Sequence, residues 1–454
     1  MRYIFIYIIL FFLFYSLAGQ NVNIDSLSRQ LQSGQPDREK AEIYLELSKA
    51  YLTSNPDTST YFAMRALEIA KGEKDNELAV RSYYQLGRSY ENQSLLNNAV
   101  EYFSLSKNLA YQMNNDEILL NSHSHLSEIY RKLQNYDLSL EKADSALALA
   151  TRTGNKSEES KILKTKGDVY FAKNQQQEAL NAYEQSLEIG KEIDDAEILA
   201  SIYNRIGRYY YSRGDFENAV EYYKQNLEMN RRTNDERGAG IALNSIGNCN
   251  LQMGNFDEAI ESYKEASEIF KKIEFHLGTA ATLTGMAVIY ENLRQFESAL
   301  EVYKEVLDIR QRLGNKREIA NTYSNIAVTY SLMLTDSLES IYGTSYQDTI
   351  LYKNLKIDLK EGQEAIRYNE MALDLRREIN DTQGISISLV NLGNVYQSLG
   401  MFDEARDYFK TWLEMTGVDH DEDARAAISL GMGKLYLFEG DYESAILYLD
   451  QAYE

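Results

Sequence analysis

The stretch Ile202–Met229 reads IYNRIGRYYYSRGDFENAVEYYKQNLEM, and its skeleton recurs along the chain. A small residue, Gly207, is followed by Tyr210, by a turn holding Gly214 and Phe216, and then by Ala219, Tyr223 and Leu227. Stepping by forty residues from Gly207 meets Gly167, Ser127 and Gly87 in one direction and Gly247, Ala287 and Ala327 in the other. The same step from Ala219 meets Ala179, Ser139, Ala99, Ala259 and Ala299. A fixed period of this kind marks a repeat array.

Within one period the apolar and aromatic residues fall at helical spacing on both sides of a short break, so each period predicts two antiparallel helices. Gly207, set against Ala219, predicts a close approach of the two backbones, with Tyr210 and Phe216 filling the space beside it. The break is Gly214-Asp215, matched by Gly254-Asn255 and Gly440-Asp441, where Gly supplies the positive φ of a tight turn. Asn114, Gly154, Asp194, Asn234, Gly314 and Asn380 share one register position between periods, which predicts a left-handed helix C-cap there.

These residues resemble the tetratricopeptide repeat. The family pattern of aromatic or Leu, Leu-Gly, Tyr, Ala and aromatic is met by Tyr83, Leu86, Gly87, Tyr90, Ala99 and Phe103, and again by Leu389, Leu392, Gly393, Tyr396, Ala405 and Phe409. The period is forty rather than the usual ~34 and no Pro closes the second helix, as in the longer repeats of kinesin light chains and cell-polarity adaptors. The resemblance implies an all-α, right-handed superhelical solenoid of antiparallel helix pairs. It implies protein or peptide binding and no chemistry of its own.

A chain of 454 residues exceeds a usual single domain, but a solenoid grows by adding units. Two Pro and 36 Tyr suit a nearly all-helical chain whose rings pack in the repeat core and the seams between repeats. The formal charge of −22 argues against nucleic acid as a partner, because phosphate binding is driven by Lys and Arg. One cysteine, Cys249, allows no intramolecular disulfide and reads as a buried structural thiol.

Residues 1–18 have the layout of a secretory signal peptide. Arg2 precedes an apolar run from Tyr3 to Tyr15, and Ser16 and Ala18 are the small residues before a cut. The expectation is an exported, periplasmic chain with no membrane span after cleavage; an uncleaved N-terminal anchor is the alternative. Residues 21–39 hold a short amphipathic helix (Ile24, Leu27, Leu31) placed to cap the array. The array fills 40–333 and 363–454. Between them, in the eighth repeat, the alanine due at 339 arrives at Ala365, 26 residues late, so 334–362 is an insertion with little helical periodicity at its start. Ala445–Glu454 reads as a second helix with no polar capping helix after it, which predicts either a longer parent gene or a partner that covers the last unit.

Together with the Ser54-Asn55-Pro56-Asp57-Thr58 turn, this layout resembles the exported tetratricopeptide region of bacterial signal-transduction proteins. A sensory, peptide- or protein-binding scaffold is therefore the expected function. The alternatives are a free-standing periplasmic adaptor that assembles an envelope complex, and the regulatory arm of a kinase or cyclase.

In tetratricopeptide arrays the first helices line the concave groove. That placement predicts Lys161, Lys164, Asn204, Arg205, Arg208, Asn244, Asn248, Asn325, Asn391 and Asn394 as ligand-binding positions, with Thr284 and Ser324 among the exposed ones. Lys161, Lys164, Arg205 and Arg208 would form one basic patch able to hold a carboxylate. The Asn side chains, each donor and acceptor, would form a ladder for an extended peptide backbone. Asp168 stands where the family's carboxylate clamp would place Asn.

No catalytic residue, cofactor or metal is expected. His123 and His125 are two apart on one helix and point to different faces. The acidic run Asp419-His420-Asp421-Glu422-Asp423 lacks the Gly and distal Glu of a calcium loop and reads as a helix N-cap cluster. No phosphate-binding Gly loop and no nucleophile motif occurs.

Overall fold

The computed structural model describes residues 24–31, 35–344, 356–415 and 422–453. The signal-peptide segment 1–18, most of the acidic run at 419–423, and Tyr346 and Tyr352 of the insertion lie outside the described residues or their described side chains. The chain divides into two compact units, Met1–Thr233 and Asn234–Glu454. All regular structure among the described residues is helical.

Unit 1 opens with α1 (24–31), on which Ile24, Leu27 and Leu31 are half-buried. It continues as antiparallel pairs: α2 (Asp37–Tyr51) with α3 (Pro56–Glu73), α4 (Asn76–Asn92) with α5 (Leu96–Gln112), and α6 (Asp116–Lys132) with α7 (Tyr136–Thr153). Next come α8 (Lys156–Ala172) with α9 (Gln176–Glu192), and α10 (Ala196–Ser212) with α11 (Phe216–Arg232). Helices α2 to α9 each pack on their partner and on the first helix of the following pair, the nearest-neighbour pattern of a solenoid.

The local signals explain the breaks. Asn55, Asp75, Asn115, Asn135, Asn155, Asp195 and Asp215 each accept a hydrogen bond from a backbone N–H of the helix they precede, satisfying one of its orphan donors. Asn114, Gly154, Asp194, Asn234, Gly314 and Asn380 all have φ between 49° and 70°, as their shared register required. Lys74 and Glu274 take the same conformation at that register, and Ser94, Gln134, Asn174 and Arg294 take it at the inner turn.

The glycine at the head of the motif serves a ring. A Cβ on Gly207 would lie 2.8 Å from Cε1 of Tyr223, and one on Gly87 would lie 2.8 Å from the Phe103 ring. The missing side chain therefore admits the second helix's aromatic ring, at the place where the sequence reading set Ala219. Where the small residue is Ser127, its hydroxyl meets that of Ser139 at 3.3 Å and Ser139 donates to the Ser127 carbonyl at 2.7 Å. Tyr210 stacks on Tyr222 with centroids 5.4 Å apart, as Tyr90 does on Tyr102 at 5.3 Å. A second tie, 26 residues across three of these pairs, was not read in the sequence: Ser106 to the Val80 carbonyl, Ser186 to the Ser160 carbonyl, and Asn226 to the Ala200 carbonyl.

Unit 2 holds α12 (Glu236–Met253) with α13 (Phe256–Lys272), and α14 (His276–Asn292) with α15 (Phe296–Leu313). It continues with α16 (Lys316–Tyr342) and α17 (Lys360–Glu378), α18 (Thr382–Ser398) and α19 (Phe402–Leu413), and α20 (Glu422–Glu439) and α21 (Tyr442–Tyr453). Cys249 is fully buried, and burial pushes its thiol up to about 12. The start of the insertion departs from the sequence reading. Helix α16 runs on for 27 residues, through Tyr342, because Leu334 and Leu338 are one turn apart and both bury against Ala365, Val395 and Leu399. The end of the insertion is tied in as well, with the Ile357 N–H donating to the Leu399 carbonyl at 2.9 Å.

Candidate functional site

The first helices of unit 1 end in a cluster of cations. Arg131 lies in the last turn of α6, Asp168 and Phe171 lie near the end of α8, and Arg205 and Arg208 lie on α10. They wall a cavity of about 150 Å³. Its floor is Tyr183, which belongs to α9 in the second layer. Gly167 makes this possible: a Cβ there would lie 2.5 Å from Cδ1 of Tyr183, so only glycine lets the ring through. The Tyr183 hydroxyl then donates to Asp168 Oδ1 at 2.9 Å.

Asp168 is the hub of this cluster, and its side chain is only 9% exposed. Arg205 Nε approaches Oδ1 to 2.7 Å and Lys164 Nζ approaches Oδ2 to 3.7 Å. The Arg205 N–H is not aligned with a hydrogen-bond acceptor, so that contact is Coulombic. Burial, then the negative charge of Asp168, pushes the Tyr183 phenol far above its ordinary value and keeps it a neutral donor. Arg131 is held by Glu128 through two bonds, of 2.9 and 2.6 Å, which raise its pKa. Arg208 is exposed and stands over the Phe171 ring at 6.0 Å; no carboxylate among the described residues pairs with it.

The predicted basic patch thus splits. Arg205 and Arg208 share the cavity, whereas Lys161, exposed and paired with Glu158 at 2.8 Å, borders a neighbouring hollow with Lys164, Ser160, Ser186, Glu197 and Ser201. Lys164 joins the two through Asp168. Arg131 and Tyr183 were missed. Arg131 is forty residues before Phe171, one turn beyond the positions scanned, and Tyr183 carries the repeat's own core signal.

The asparagines are less uniform than a ladder requires. Asn204 is half-buried. In unit 2, Asn248 accepts from the Tyr263 hydroxyl at 2.6 Å, and Asn244 has a buried Oδ1 without a partner. Asn325 and Asn391 are half-buried, and Asn394 is exposed. Of the other positions read as exposed, Thr284 is half-buried and Ser324 is buried, at 7%.

A second polar cluster links α4 to α6 in unit 1. His125 stacks on Phe103 with centroids 4.7 Å apart, and its Nδ1 and Nε2 meet Glu91 at 2.9 Å and the Tyr84 hydroxyl at 3.1 Å. Lys132 takes the other Glu91 oxygen at 2.8 Å. Burial opposes ionisation of Glu91, but His125 and Lys132 outweigh it and hold the carboxyl at about 2.

Two layers of helices stacked in register, with first-helix side chains gathered on one face, define a helical-repeat scaffold. The tetratricopeptide repeat model matches residues 118–192, 198–272, 278–339, 349–417 and 385–454, and a second tetratricopeptide model matches 80–112. The chain belongs to the tetratricopeptide repeat family. It is similar to tetratricopeptide repeat protein 29 of Trypanosoma brucei brucei, at 32% identity over 85 residues, a stretch that is 18% of this chain and 18% of that relative. The match spans less than one fifth of that protein. Among solved structures it is similar to a signal transduction ATPase with numerous domains carrying a tetratricopeptide repeat sensor, from Pyrococcus horikoshii. There the TM-score is 0.51 and the identity 16%, over 84% of this chain and 56% of that one. It is also similar to the apo form of the quorum sensor NprR from B. thuringiensis, with TM-score 0.49 and 15% identity over 83% and 99% of the two chains. The first of these two structural likenesses shows the fold alone.

Proposed function

We propose that this chain is a non-catalytic scaffold that binds a peptide or protein segment on the first-helix face of unit 1, and that it serves as the exported sensory region of a bacterial signal-transduction protein. The observation that carries the binding reading is a local inversion of charge. In a chain of net charge −22, Arg131, Lys164, Arg205 and Arg208 converge on one face of one layer. Repeats hold such a face rigidly, because each pair is fixed by its neighbours. Export rests on Arg2, the apolar run to Tyr15 and the small residues Ser16 and Ala18. Signalling would follow if a bound segment biased the angles between successive pairs, whose small shifts add along the array.

The test places a photo-crosslinking amino acid at Asn204, on that face, or at Glu221, exposed on α11, in the full chain expressed in its own host with the leader intact. The expected result is a discrete adduct from position 204, recovered from the envelope fraction, and none from 221. Equal adducts from both positions, or a chain found only in the cytoplasm, would overturn the proposal.

A further inference from the structure

We propose that Lys107 is a site of reversible modification by carbon dioxide, and that the carbamate formed on its side chain is held by Lys142 and His123. None of the three residues lines the cavity of Arg205 and Arg208, and two of them belong to second helices, so this site and the binding face do not depend on each other.

The forty-residue register shows what is unusual. Lys107 on α5 stands where other second helices carry Leu67, Leu187, Leu227 and Leu307, each buried or half-buried. His123 on α6 takes the place of Tyr83, Leu163 and Tyr203, and Lys142 on α7 takes that of Tyr102 and Tyr222. Three positions that hold apolar or aromatic residues in those repeats are therefore basic at one seam, where α5 and α7 both pack on α6. One turn away on the same helices, Ala110, Leu119, Leu120 and Ala146 are buried in a single core cluster, so the surroundings of the three are apolar.

What the seam lacks is an anion. No carboxylate among the described residues pairs with Lys107. Lys142 is paired with Glu141 at 2.6 Å, but that carboxylate is 59% exposed and solvent screens it. His123 Nδ1 is buried and has no hydrogen-bond partner. Burial, then the charge of Lys142, lowers the pKa of Lys107, so more of its amine is neutral and nucleophilic than on an exposed lysine.

The step balances without an oxidant or a reductant. The lone pair of Lys107 Nζ forms a bond to the carbon of CO2, one C–O π bond opens to leave the charge on oxygen, and the nitrogen releases one proton to solvent: R–NH2 + CO2 → R–NH–COO⁻ + H⁺. Carbon dioxide has no leaving group to expel, so the chain's own residues suffice. The side chain of Lys107, a cation when protonated, becomes an anion, and its repulsion by Lys142 turns into attraction. The carbamate oxygens accept from Lys142 Nζ and from the Nδ1–H tautomer of His123, which gives the buried nitrogen a donor role.

The experiment incubates the purified full chain with 13C-labelled bicarbonate and dissolved carbon dioxide at neutral pH. Carbamates are trapped as ethyl esters with triethyloxonium, and each lysine is read by mass spectrometry of the peptides. Label at Lys107 should exceed that at Lys264 and Lys304, exposed on α13 and α15, by at least about tenfold, the discrimination that one charge-assisted hydrogen bond gives. At constant pH and ionic strength, replacing chloride by bicarbonate under carbon dioxide should raise Tm by about 2–4 °C. K107R keeps the charge but presents no nucleophilic amine, and should show neither label nor rise.

Label at Lys107 no higher than at the two exposed lysines would overturn the proposal. So would a rise in Tm that persists in K107R, which would mark a freely bound anion, and so would label at Lys107 without any rise, which would leave the carbamate without its two partners. If the arginine variant loses its helical circular dichroism, K107L, which restores the residue of the other repeats, takes its place in both measurements.

Discussion

His123 sits on α6 with its Nδ1 buried and without a hydrogen-bond partner. Burial, then the charges of Lys107 and Lys142, lowers its pKa to about 4. In the unfolded chain the ring takes a proton near pH 6.5. Between those values the unfolded state binds the proton and the folded state does not, so stability is present above about 6.5 and is lost as the pH falls toward 4. The loss is at most on the order of 3 kcal/mol. Glu91 extends it downward, since a carboxyl held at about 2 loses its contribution as the pH falls from its unfolded value toward 2. H123Q should flatten the fall of Tm between pH 6.5 and 4.5 and leave the fall below 4.5 in place. An unchanged slope above pH 4.5 would place the acid sensitivity elsewhere. Residues of this kind are hard to read in a sequence. The spacing of His123 and His125 puts them on different faces of α6, but the neighbours of His123, Lys107 and Lys142, come from other helices. The left-handed caps divide in the same way. Asn, Asp and Gly announced themselves, whereas Lys74, Glu274 and Arg294 did not. A side chain in that conformation costs ~1 kcal/mol, little beside the helices it lets turn, so the position accepts what composition does not advertise.

The forty-residue period made helix order and turn positions legible, and the structure adds what the helices exchange. Gly167 on α8 and Tyr183 on α9 carry both the packing and the site. G167A places a Cβ 2.5 Å from Cδ1 of Tyr183, and overpacking of that kind destabilises by ~1–3 kcal/mol, less the ~1 kcal/mol that alanine gains over glycine in a helix. We expect the urea midpoint to fall in G167A and in Y183L, and the double variant to fall by less than the two together, since each relieves the other's fault. Additive losses would mean that the ring and the glycine do not share one space. The same pair shapes the cavity, because the Tyr183 hydroxyl donates to Asp168, which Arg205 approaches to 2.7 Å. The insertion shows why an element can be misread. Leu334 and Leu338 have helical spacing, but Thr335, Asp336, Ser337, Glu339 and Ser340 around them give a composition that resembles a loop. Only their burial against α17 and α18 makes those two leucines the inner face of a longer helix.

At the scale of the molecule, the same charge that argues against a nucleic-acid partner also opposes folding. Even if every Lys and Arg were paired, 22 carboxylates would remain without a cation. The pairs themselves stabilise little: Lys49–Glu46 and Arg65–Glu68 are about half exposed, and exposed pairs are worth ~0–1 kcal/mol each. Self-repulsion of the compact state is therefore the larger salt-sensitive quantity. The basic site was legible only in part for a related reason. Average composition pointed away from cations, and Arg131, Arg205 and Arg208 become a cluster only when α6, α8 and α10 are laid side by side. One titration separates the global field from the local one. Raising monovalent salt from ~0.01 M to ~0.1 M shortens the screening length from ~30 Å to ~10 Å. Repulsion among scattered carboxylates weakens, so Tm should rise by a few degrees. On the proposed reading, the attraction of the basic face of unit 1 for an acidic peptide probe weakens over the same range, so its affinity should fall. Opposite signs from one sample are the expected result. A Tm that falls with salt would show that the surface ion pairs outweigh net repulsion. An affinity indifferent to salt would mean that the probe is held by contacts other than charge.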